Sequence, residues 1–372
     1  HETRVAATPD TVKRFLKLGA SVTVEKDAGL AASIPDEQFV EAGATIAADA
    51  KATASGADLI LKVRRPMAKG EGGDESAVFA KGQTLVSTLD ALWQQDKLEP
   101  LAKKGVNLMA MELMPRITRA QSMDVLSSQS NLAGYRAVID AAAVFDRAFP
   151  MMMTAAGTIA AARVLVLGAG VAGLQAIATA RRLGAIVSAF DVRAATKEQV
   201  QSLGATFVEV EGAEDAQTAG GYAKELSDEQ KAAQRAKIIE TLKKTDVAIT
   251  TALIPGKQAP ILIDEEGVKA MKPGSVIFDM AAEQGGNCAL CAPGETVEAH
   301  GVKIMGPFNV PGSVATDASA LFAKNLFTFV SAFTKTEGET AAWSPDWDDD
   351  IIKGVAVSRD GAIVHPALTG EG

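Results

Sequence analysis

Short apolar runs typical of buried strands alternate with segments of helical spacing along most of the chain. Strands are predicted at Ser21–Glu25, Asp58–Val63, Thr84–Leu89, Val106–Leu113, Val164–Leu167, Ile186–Phe190, Phe207–Val210, Val247–Thr251, Val276–Asp279 and Val302–Met305. Helices are predicted at Pro9–Gly19, Asp36–Gly43, Ser127–Phe149, Leu174–Leu183, Lys197–Leu203, Glu229–Lys243, Glu265–Met271 and Thr316–Phe333. Strands separated by helices of about ten residues form βαβ units, so the pattern predicts an α/β fold with mostly parallel sheets.

The chain is too long for one hydrophobic core. It has 372 residues, and single cores rarely grow beyond about 250–300 residues, so we expect two domains. The predicted helix Ser127–Phe149 would run about 30 Å and ends at Pro150, just before a second βαβ pattern. We interpret this helix as a connector between domains. The segment Thr334–Asp350 is acidic and poorly patterned, which is typical of a surface excursion.

Composition and charge exclude several classes of protein. Apolar residues make up 47% and charged residues 22% of the chain, a balance found in globular proteins rather than disordered ones. The net charge of −9 disfavours binding to nucleic acid or to an anionic membrane surface, because both repel an acidic protein. The least polar region, Ala148–Ala180, is interrupted by Pro150, Arg163 and Gln175, so it does not predict a transmembrane helix.

The first residues, His-Glu-Thr-Arg-Val, lack the charged start and apolar core of a signal peptide. The chain does not begin with Met, so we expect a native segment to precede His1.

The few cysteines and histidines limit the chemistry. Two cysteines, Cys288 and Cys291, cannot build a disulfide framework and indicate a reducing compartment. Their CxxC spacing lacks a thioredoxin-like context and further metal ligands, so we expect free thiols and no metal site. His300 and His365 are each predicted to be structural or exposed. The chain has no GxSxG, HExxH or lysine-containing P-loop motif, which disfavours hydrolase, metalloprotease and ATPase functions.

The strongest motif is Gly-Ala-Gly-Val-Ala-Gly at Gly168–Gly173. It follows a predicted strand and opens a helix, and Asp191 ends the next strand. In this context the glycines allow the backbone to approach a pyrophosphate closely, and the helix N-terminus supplies N–H donors. Asp191 would accept ribose hydroxyls and repel a 2′-phosphate, which favours NAD(H) over NADP(H). The alternative is a glycine turn that binds no nucleotide.

A second polar segment, Arg116–Asn131, lies between a predicted strand and the connector helix. It carries Arg, Gln, Asp, Ser and Asn side chains at close spacing. Neutral donors and acceptors suit a nicotinamide carboxamide and its ribose, and loops at strand carboxyl ends face the ligand crevice of an open α/β sheet. The alternative is a capped helix start, with Asp124 or Ser127 as the N-cap.

These motifs and six further blocks resemble the NAD(H)-binding domain I of proton-translocating nicotinamide nucleotide transhydrogenase, from Glu2 onward. The blocks are Arg116–Asn131, Arg163–Ala185, Phe190–Ala205, Thr218–Leu226, Thr251–Lys257, Met271–Asn287, Phe308–Pro311 and Asp360–Gly370. The resemblance, shared in fold with alanine and saccharopine dehydrogenases, implies two Rossmann-like or flavodoxin-like parallel-sheet domains, joined by long helices with a cleft between them. We expect a discontinuous first domain, residues 1–129 plus 315–372, and a Rossmann NAD-binding domain, residues 130–314.

The resemblance also implies roles for particular residues. Arg116, Gln121, Asp124 and Ser127 are expected around the nicotinamide and its ribose; Arg116 and Asp124 would hold the carboxamide, and Gln121 would reach toward the partner nucleotide. The expected adenosine and pyrophosphate contacts are Gly168, Ala169, Gly170, Val171, Gly173, Asp191, Val192 and Arg193. Further expected contacts are Gln234 and Leu253, and Gly221 and Tyr222 at the tip of a lid loop, Glu211–Ser227.

The implied assembly is a homodimer. It would deliver hydride to NADP(H) bound by a separate domain III, while a membrane domain II couples the transfer to proton movement. The chain would lie on the cytoplasmic side of a bacterial inner membrane, held there by the rest of the complex and without inserting itself.

Missing chemistry supports hydride exchange over the alternatives. Oxidation of an alcohol or amine needs a base to take a proton, whereas direct exchange between NADH and NADP⁺ needs only alignment and exclusion of water. An alanine dehydrogenase-like activity would place a catalytic histidine after a first-domain strand, where this chain has Leu85–Asp90. A third alternative is an NAD-responsive binding protein without chemistry of its own.

The chain departs from the family pattern at two places. Family members begin with a strand carrying a Lys-Glu pair before Glu-x-Arg-Val, and here only Glu2–Val5 remains. We therefore expect one strand of the first domain to be absent. The acidic segment Thr334–Asp350 matches poorly, and no function is assigned to it.

Overall fold

The computed structural model describes residues 2–210, 227–338 and 340–370, and the chain divides into two compact units. Unit 1 combines residues 1–129 with residues 312–372, and unit 2 comprises residues 130–311. We predicted the return to the first domain at residue 315.

The N-terminal part of unit 1 alternates helices and strands up to the connector helix. Its elements are α1 (Pro9–Lys17), β1 (Thr23–Glu25), α2 (Asp36–Glu41), β2 (Thr45–Ala47), α3 (Ala50–Ala54), β3 (Leu59–Arg64), β4 (Thr84–Thr88), α4 (Gln95–Lys103), β5 (Asn107–Ala110) and α5 (Val125–Val144). The start of α1 illustrates the local code, because Thr8 and Thr11 form a capping box and Pro9 occupies the first helical position.

Unit 2 follows with a hairpin and then a Rossmann-like series. Its elements are β6 (Met152–Thr154), β7 (Gly157–Ile159), β8 (Arg163–Leu167), α6 (Val171–Arg182), β9 (Ile186–Phe190), α7 (Thr196–Ser202), β10 (Thr206–Phe207), α8 (Asp228–Leu242), β11 (Val247–Thr250), α9 (Glu265–Ala270), β12 (Val276–Asp279), β13 (Thr296–Ala299) and β14 (Val302–Met305).

The chain then completes unit 1. The returning elements are α10 (Ala315–Ala332), β15 (Thr334–Glu337), β16 (Thr340–Trp343), α11 (Asp350–Val355), β17 (Ala356–Arg359), β18 (Ala362–Ile363) and α12 (Pro366–Thr369). We expected the helix at Thr316–Phe333 to help join the domains; α10 belongs wholly to unit 1.

Each unit is built around a mainly parallel sheet, which confirms the predicted fold class. The sheet of unit 2 has the order β10-β9-β8-β11-β12-β14-β13, and only the β13–β14 pair is antiparallel. The sheet of unit 1 has the order β18-β17-β5-β4-β3, with β3, β4 and β5 parallel and an antiparallel edge formed by β17 and β18.

Apolar side chains cover both faces of the central strands. In β8, Val164 and Val166 face one core of unit 2, while Leu165 and Leu167 face another. A sheet buried on both faces requires near-continuous apolar strands, which explains why these strands were readable from the sequence.

Two predicted segments are wrong. The connector helix ends at Val144, not Phe149, because Phe145 and Phe149 turn into the core of unit 2 and pack edge to face. The segment Thr334–Asp350 is not a simple surface excursion. It contains the antiparallel β15–β16 hairpin, whose Trp343 packs against Phe329 and Phe333.

Within the described parts of the chain, no helix combines the length and apolar character needed to cross a membrane.

Candidate functional site

The three glycines of the turn after β8 have distinct structural roles. Gly168 has φ +100°, and a Cβ there would lie 2.5 Å from the Thr251 hydroxyl oxygen. A Cβ at Gly173 would lie 1.8 Å from the Gly168 carbonyl oxygen, so this glycine lets α6 pack tightly beneath the turn. At Gly170 the space is open, because the nearest atom to such a Cβ is an Arg193 guanidinium nitrogen at 4.0 Å. The turn therefore leaves bare backbone at the N-terminus of α6.

The strand order places this turn at the switch point of the sheet. β8 lies between β9 and β11, and the chain extends outward from β8 in both directions. Ligands of open α/β sheets bind outside the strand carboxyl ends at such a point. The turn after β8, Asp191 after β9 and Leu253 after β11 all lie at this edge.

Asp191 is buried and fully engaged with protein donors. Its Oδ2 accepts the Ala169 backbone N–H at 2.7 Å and the Arg193 Nη2 donor at 2.7 Å. Its Oδ1 accepts the backbone N–H of Arg193 at 2.9 Å and the Arg193 Nε donor at 2.8 Å. These four bonds occupy the lone-pair positions of the carboxylate. A ribose hydroxyl would therefore bind Asp191 by replacing the guanidinium donors.

The remaining predicted contacts of unit 2 lie in different environments. Val171 and Leu253 expose 41% and 45% of their surface, and Val192 is half-buried. Gln234 is buried on the face of α8 that also carries Ile238 and Leu242. Gly221 and Tyr222, with nearly all of the predicted lid loop, lie outside the described residues.

The predicted nicotinamide residues form a compact stretch of unit 1. A 3₁₀ segment, Thr118–Met123, follows β5 and leads directly into α5. Arg116 and Gln121 are exposed on it. Asp124 accepts the backbone N–H of Ser127 at 2.9 Å and the Ser127 hydroxyl at 2.5 Å. Asp124 is thus the N-cap of α5, as one of the two interpretations of this segment predicted.

This stretch is held in place by residues distant in the sequence. Asn325 of α10 donates to the Ser122 carbonyl and accepts the Ser128 hydroxyl, both at 2.8 Å, and so clamps the stretch on either side of Asp124. Arg119 forms a two-point ion pair with Asp349 at 2.7 and 2.8 Å. Sequence reasoning missed both contacts, because their partners lie in the returning segment of unit 1.

Glu112 is a further residue that sequence reasoning missed. Its carboxylate accepts the backbone N–H groups of Leu89 and Ala91, each at 3.0 Å. Burial raises its pKa to about 7. It fixes the loop after β4, where an alanine dehydrogenase-like activity would need a histidine. A lone acid inside the apolar run Val106–Leu113 was the available signal.

The cysteines and histidines have structural environments. Cys288 and Cys291 are free, and burial raises their pKa values to about 11 and 12, which keeps the thiols protonated and weakly nucleophilic. His365 accepts the Ala367 N–H at Nδ1 and donates from Nε2 to the Gly354 carbonyl, which caps α12. His300 lies beside Glu265. Among the described residues, no group of His, Cys, Asp and Glu side chains could hold a metal ion.

Taken together, the switch-point turn and its neighbouring acid define a two-domain α/β protein of the nucleotide-binding class. The chain matches the models of the alanine dehydrogenase/PNT N-terminal domain over residues 1–133 and of the C-terminal domain over residues 137–366. It belongs to the alanine dehydrogenase/PNT family.

Relatives named as transhydrogenases are the more similar ones. The chain is 58% identical to an NAD(P) transhydrogenase alpha subunit of Rhodospirillum rubrum, over 100% of this chain and 97% of the relative. The crystal structure of transhydrogenase from Sinorhizobium meliloti is 47% identical, with TM-score 0.84, and the match covers 98% of this chain and 96% of that one. A solved L-alanine dehydrogenase is 25% identical, with TM-score 0.79 and coverage of 100% and 95%. These findings confirm the predicted resemblance and make the alanine dehydrogenase relationship the distant one.

Proposed function

We propose that this chain is the NAD(H)-binding component of a proton-translocating transhydrogenase. It passes hydride between NADH and NADP⁺ bound on a separate domain III. The observation that carries the proposal is the open glycine turn at the switch point with Asp191 beside it, in a chain 58% identical to a transhydrogenase alpha subunit over its whole length.

The residues of unit 2 fit a dinucleotide. The bare backbone at Gly170 and the first N–H groups of α6, which have no partner within the helix, suit the negative charge of a pyrophosphate. Asp191 offers acceptors to ribose hydroxyls, and its charge disfavours a 2′-phosphate. This supports NAD(H) as the cofactor of this chain and NADP(H) as the cofactor of the partner.

In unit 1, the stretch from Arg116 to Ser127 supplies donors and acceptors to the nicotinamide. When bound, the nicotinamide ring itself carries the hydride. Arg116 donates to the carboxamide oxygen, and the capped carboxylate of Asp124 accepts from the carboxamide nitrogen. The clamp by Asn325 keeps this stretch in one conformation, as transfer between two aligned rings requires. None of these residues has to take up a proton.

An exposed hairpin supports the homodimer. Among the described strands, β6 and β7 pair only with each other, and every residue from Met151 to Ala160 is exposed. A lone two-stranded hairpin is marginally stable in water, and exposed apolar side chains mark interaction sites. We assign this hairpin to the contact with a second copy. Domain III and a membrane domain II, on the cytoplasmic side of a bacterial inner membrane, complete the proposed assembly.

A hydride-exchange assay tests the proposal. The chain is mixed with purified domain III, and reduction of thio-NADP⁺ by NADH is followed spectroscopically. We expect turnover only when both proteins are present. The matched assay supplies L-alanine and NAD⁺ to the chain alone, and rapid NADH formation there, with no exchange in the mixture, would favour the alanine dehydrogenase alternative.

A further inference from the structure

Asn287 is a fully buried side chain that pairs with the backbone of a distant loop. Its Oδ1 accepts the N–H of Ala252 at 3.0 Å, and its Nδ2 donates to the carbonyls of Ala252 at 2.9 Å and Pro260 at 2.8 Å. The amide thus bonds both backbone groups of Ala252, as a neighbouring strand would. Each of its three hydrogen-bonding positions is used to fix the loop that follows β11.

Asp279, the last residue of β12, fixes Asn287 in turn. Its Oδ2 accepts the N–H groups of Asn287 at 2.7 Å and Cys288 at 2.8 Å. Its Oδ1 accepts the Thr250 hydroxyl and the Ala281 N–H, both at 3.0 Å. No Lys, Arg or His in the described residues forms an ion pair with this buried carboxylate, so hydrogen bonds alone stabilise it.

The glycine before Asn287 makes this arrangement possible. Gly286 has φ +81°, and a Cβ there would lie 2.9 Å from the Asp279 Oδ2. A larger residue would therefore push the Asn287 N–H away from the carboxylate.

The fixed loop connects directly to the glycine turn. Thr251, next to Ala252, donates its hydroxyl to the Gly168 carbonyl at 3.1 Å. On the other side of Ala252, Leu253 is 45% exposed. Asn287 therefore holds a three-residue stretch that touches the turn at one end and presents an apolar side chain at the other.

The strand order indicates which half of the nucleotide this stretch serves. β9, which ends at the proposed ribose acid Asp191, lies on one side of β8, and β11 lies on the other. A dinucleotide that crosses the turn at Gly170, with its adenosine over β9, must extend its nicotinamide half over β11. Building on the proposed function, we infer that Asn287 is a positioning residue, which sets the loop after β11 for the nicotinamide half of NAD(H) and not for the adenosine half.

The test compares two ligands in three variants. Dissociation constants for NADH and for 5′-AMP are measured on the parent chain, on Asn287→Ala and on Asn287→Ser, which keeps one hydroxyl. The matched control is Thr245→Ala, because Thr245 is equally buried and hydrogen-bonded but precedes β11 at the opposite edge of the sheet.

We expect Asn287→Ala to weaken NADH binding about tenfold, since it leaves three backbone groups of the loop without their partner. Asn287→Ser should weaken it less, and binding of 5′-AMP should change by less than about twofold in both. Thr245→Ala should leave both ligands unaffected. This pattern would support the inference.

Parental NADH affinity in both Asn287 variants, or an equal loss of NADH and 5′-AMP affinity, would overturn it. If Asn287→Ala fails to fold, Asn287→Ser decides by the same ratio of affinities. A parent chain that binds no NADH would overturn the proposed function and this inference together, whereas a binding parent without the split overturns this inference alone.

Discussion

The carboxylate of Asp191 illustrates what a single position reveals once its neighbours are known. The position itself was predictable, because an acid at the end of the strand after a glycine-rich turn has a known geometric role. Its partner was not predicted. Arg193 bonds both carboxylate oxygens and stands where a 2′-phosphate would approach.

We expect Asp191→Ala to change cofactor preference. Loss of the ribose acceptors should weaken NADH binding by about 1–3 kcal/mol. Discrimination against NADPH should fall as well, because Arg193 would lose its carboxylate and could pair with the 2′-phosphate. Titration calorimetry with both nucleotides measures the change, and Asp228→Ala, an exposed acid of the same unit, is the control. Unchanged NADH affinity would contradict the assignment of Asp191.

Other site residues were not predictable because the pattern along a chain does not show which distant residues meet. Asn287 reaches a loop more than thirty positions earlier in the chain, and Asn325 reaches the stretch before α5 from the returning segment of unit 1. Both are buried amides, whose polar character in a sequence suggests exposure unless the partner backbone is known.

Among the elements, burial decided which were predictable. β9, β12 and β14 match their predicted limits residue for residue, because central strands read as continuous apolar runs. The hairpin strands β6 and β7 and the edge strands β13 and β18 were missed. They are short and lie at edges or in solvent, where the apolar pattern is weak.

The start of α5 allows a test that separates capping from nucleotide contact. Asp124→Ala removes the N-cap and should lower the free energy of unfolding by about 1 kcal/mol. Asp124→Ser preserves the cap and should leave stability nearly unchanged, since serine is an equally good N-cap. If the carboxylate also contacts the nicotinamide, both variants lose hydride exchange. Denaturant unfolding and the exchange assay measure the two effects; full exchange activity in Asp124→Ser would leave Asp124 with the cap alone.

For the molecule as a whole, length gave the number of domains, and the resemblance gave the order in which the chain visits them. The strand order of each sheet was not derivable from periodicity, which is the same for every parallel arrangement. That order is what identifies the switch point and separates the two halves of the proposed site.

The exposed hairpin of unit 2 predicts self-association. Met153 exposes 78% of its surface at the hairpin, so Met153→Lys should weaken dimer formation about tenfold or more by burying an unpaired charge. Sedimentation velocity at micromolar concentration measures the change. Leu30→Lys, a similarly exposed apolar residue of unit 1, should leave the dimer intact. A monomeric parent, or a fully dimeric Met153→Lys chain, would contradict the assignment.

The discontinuity of unit 1 has a consequence for synthesis on the ribosome. Val86 and Met109 share a core with Phe322, Phe329 and Val355, which are made last. At about 5–20 residues per second, roughly 10–40 s separate the two segments of unit 1. Unit 2 is complete and free to fold in that interval, so the first residues to leave the ribosome are among the last to be buried. During each round of translation, the apolar face of the first sheet is therefore open to chaperones and to misassociation for longer than any other region of the chain.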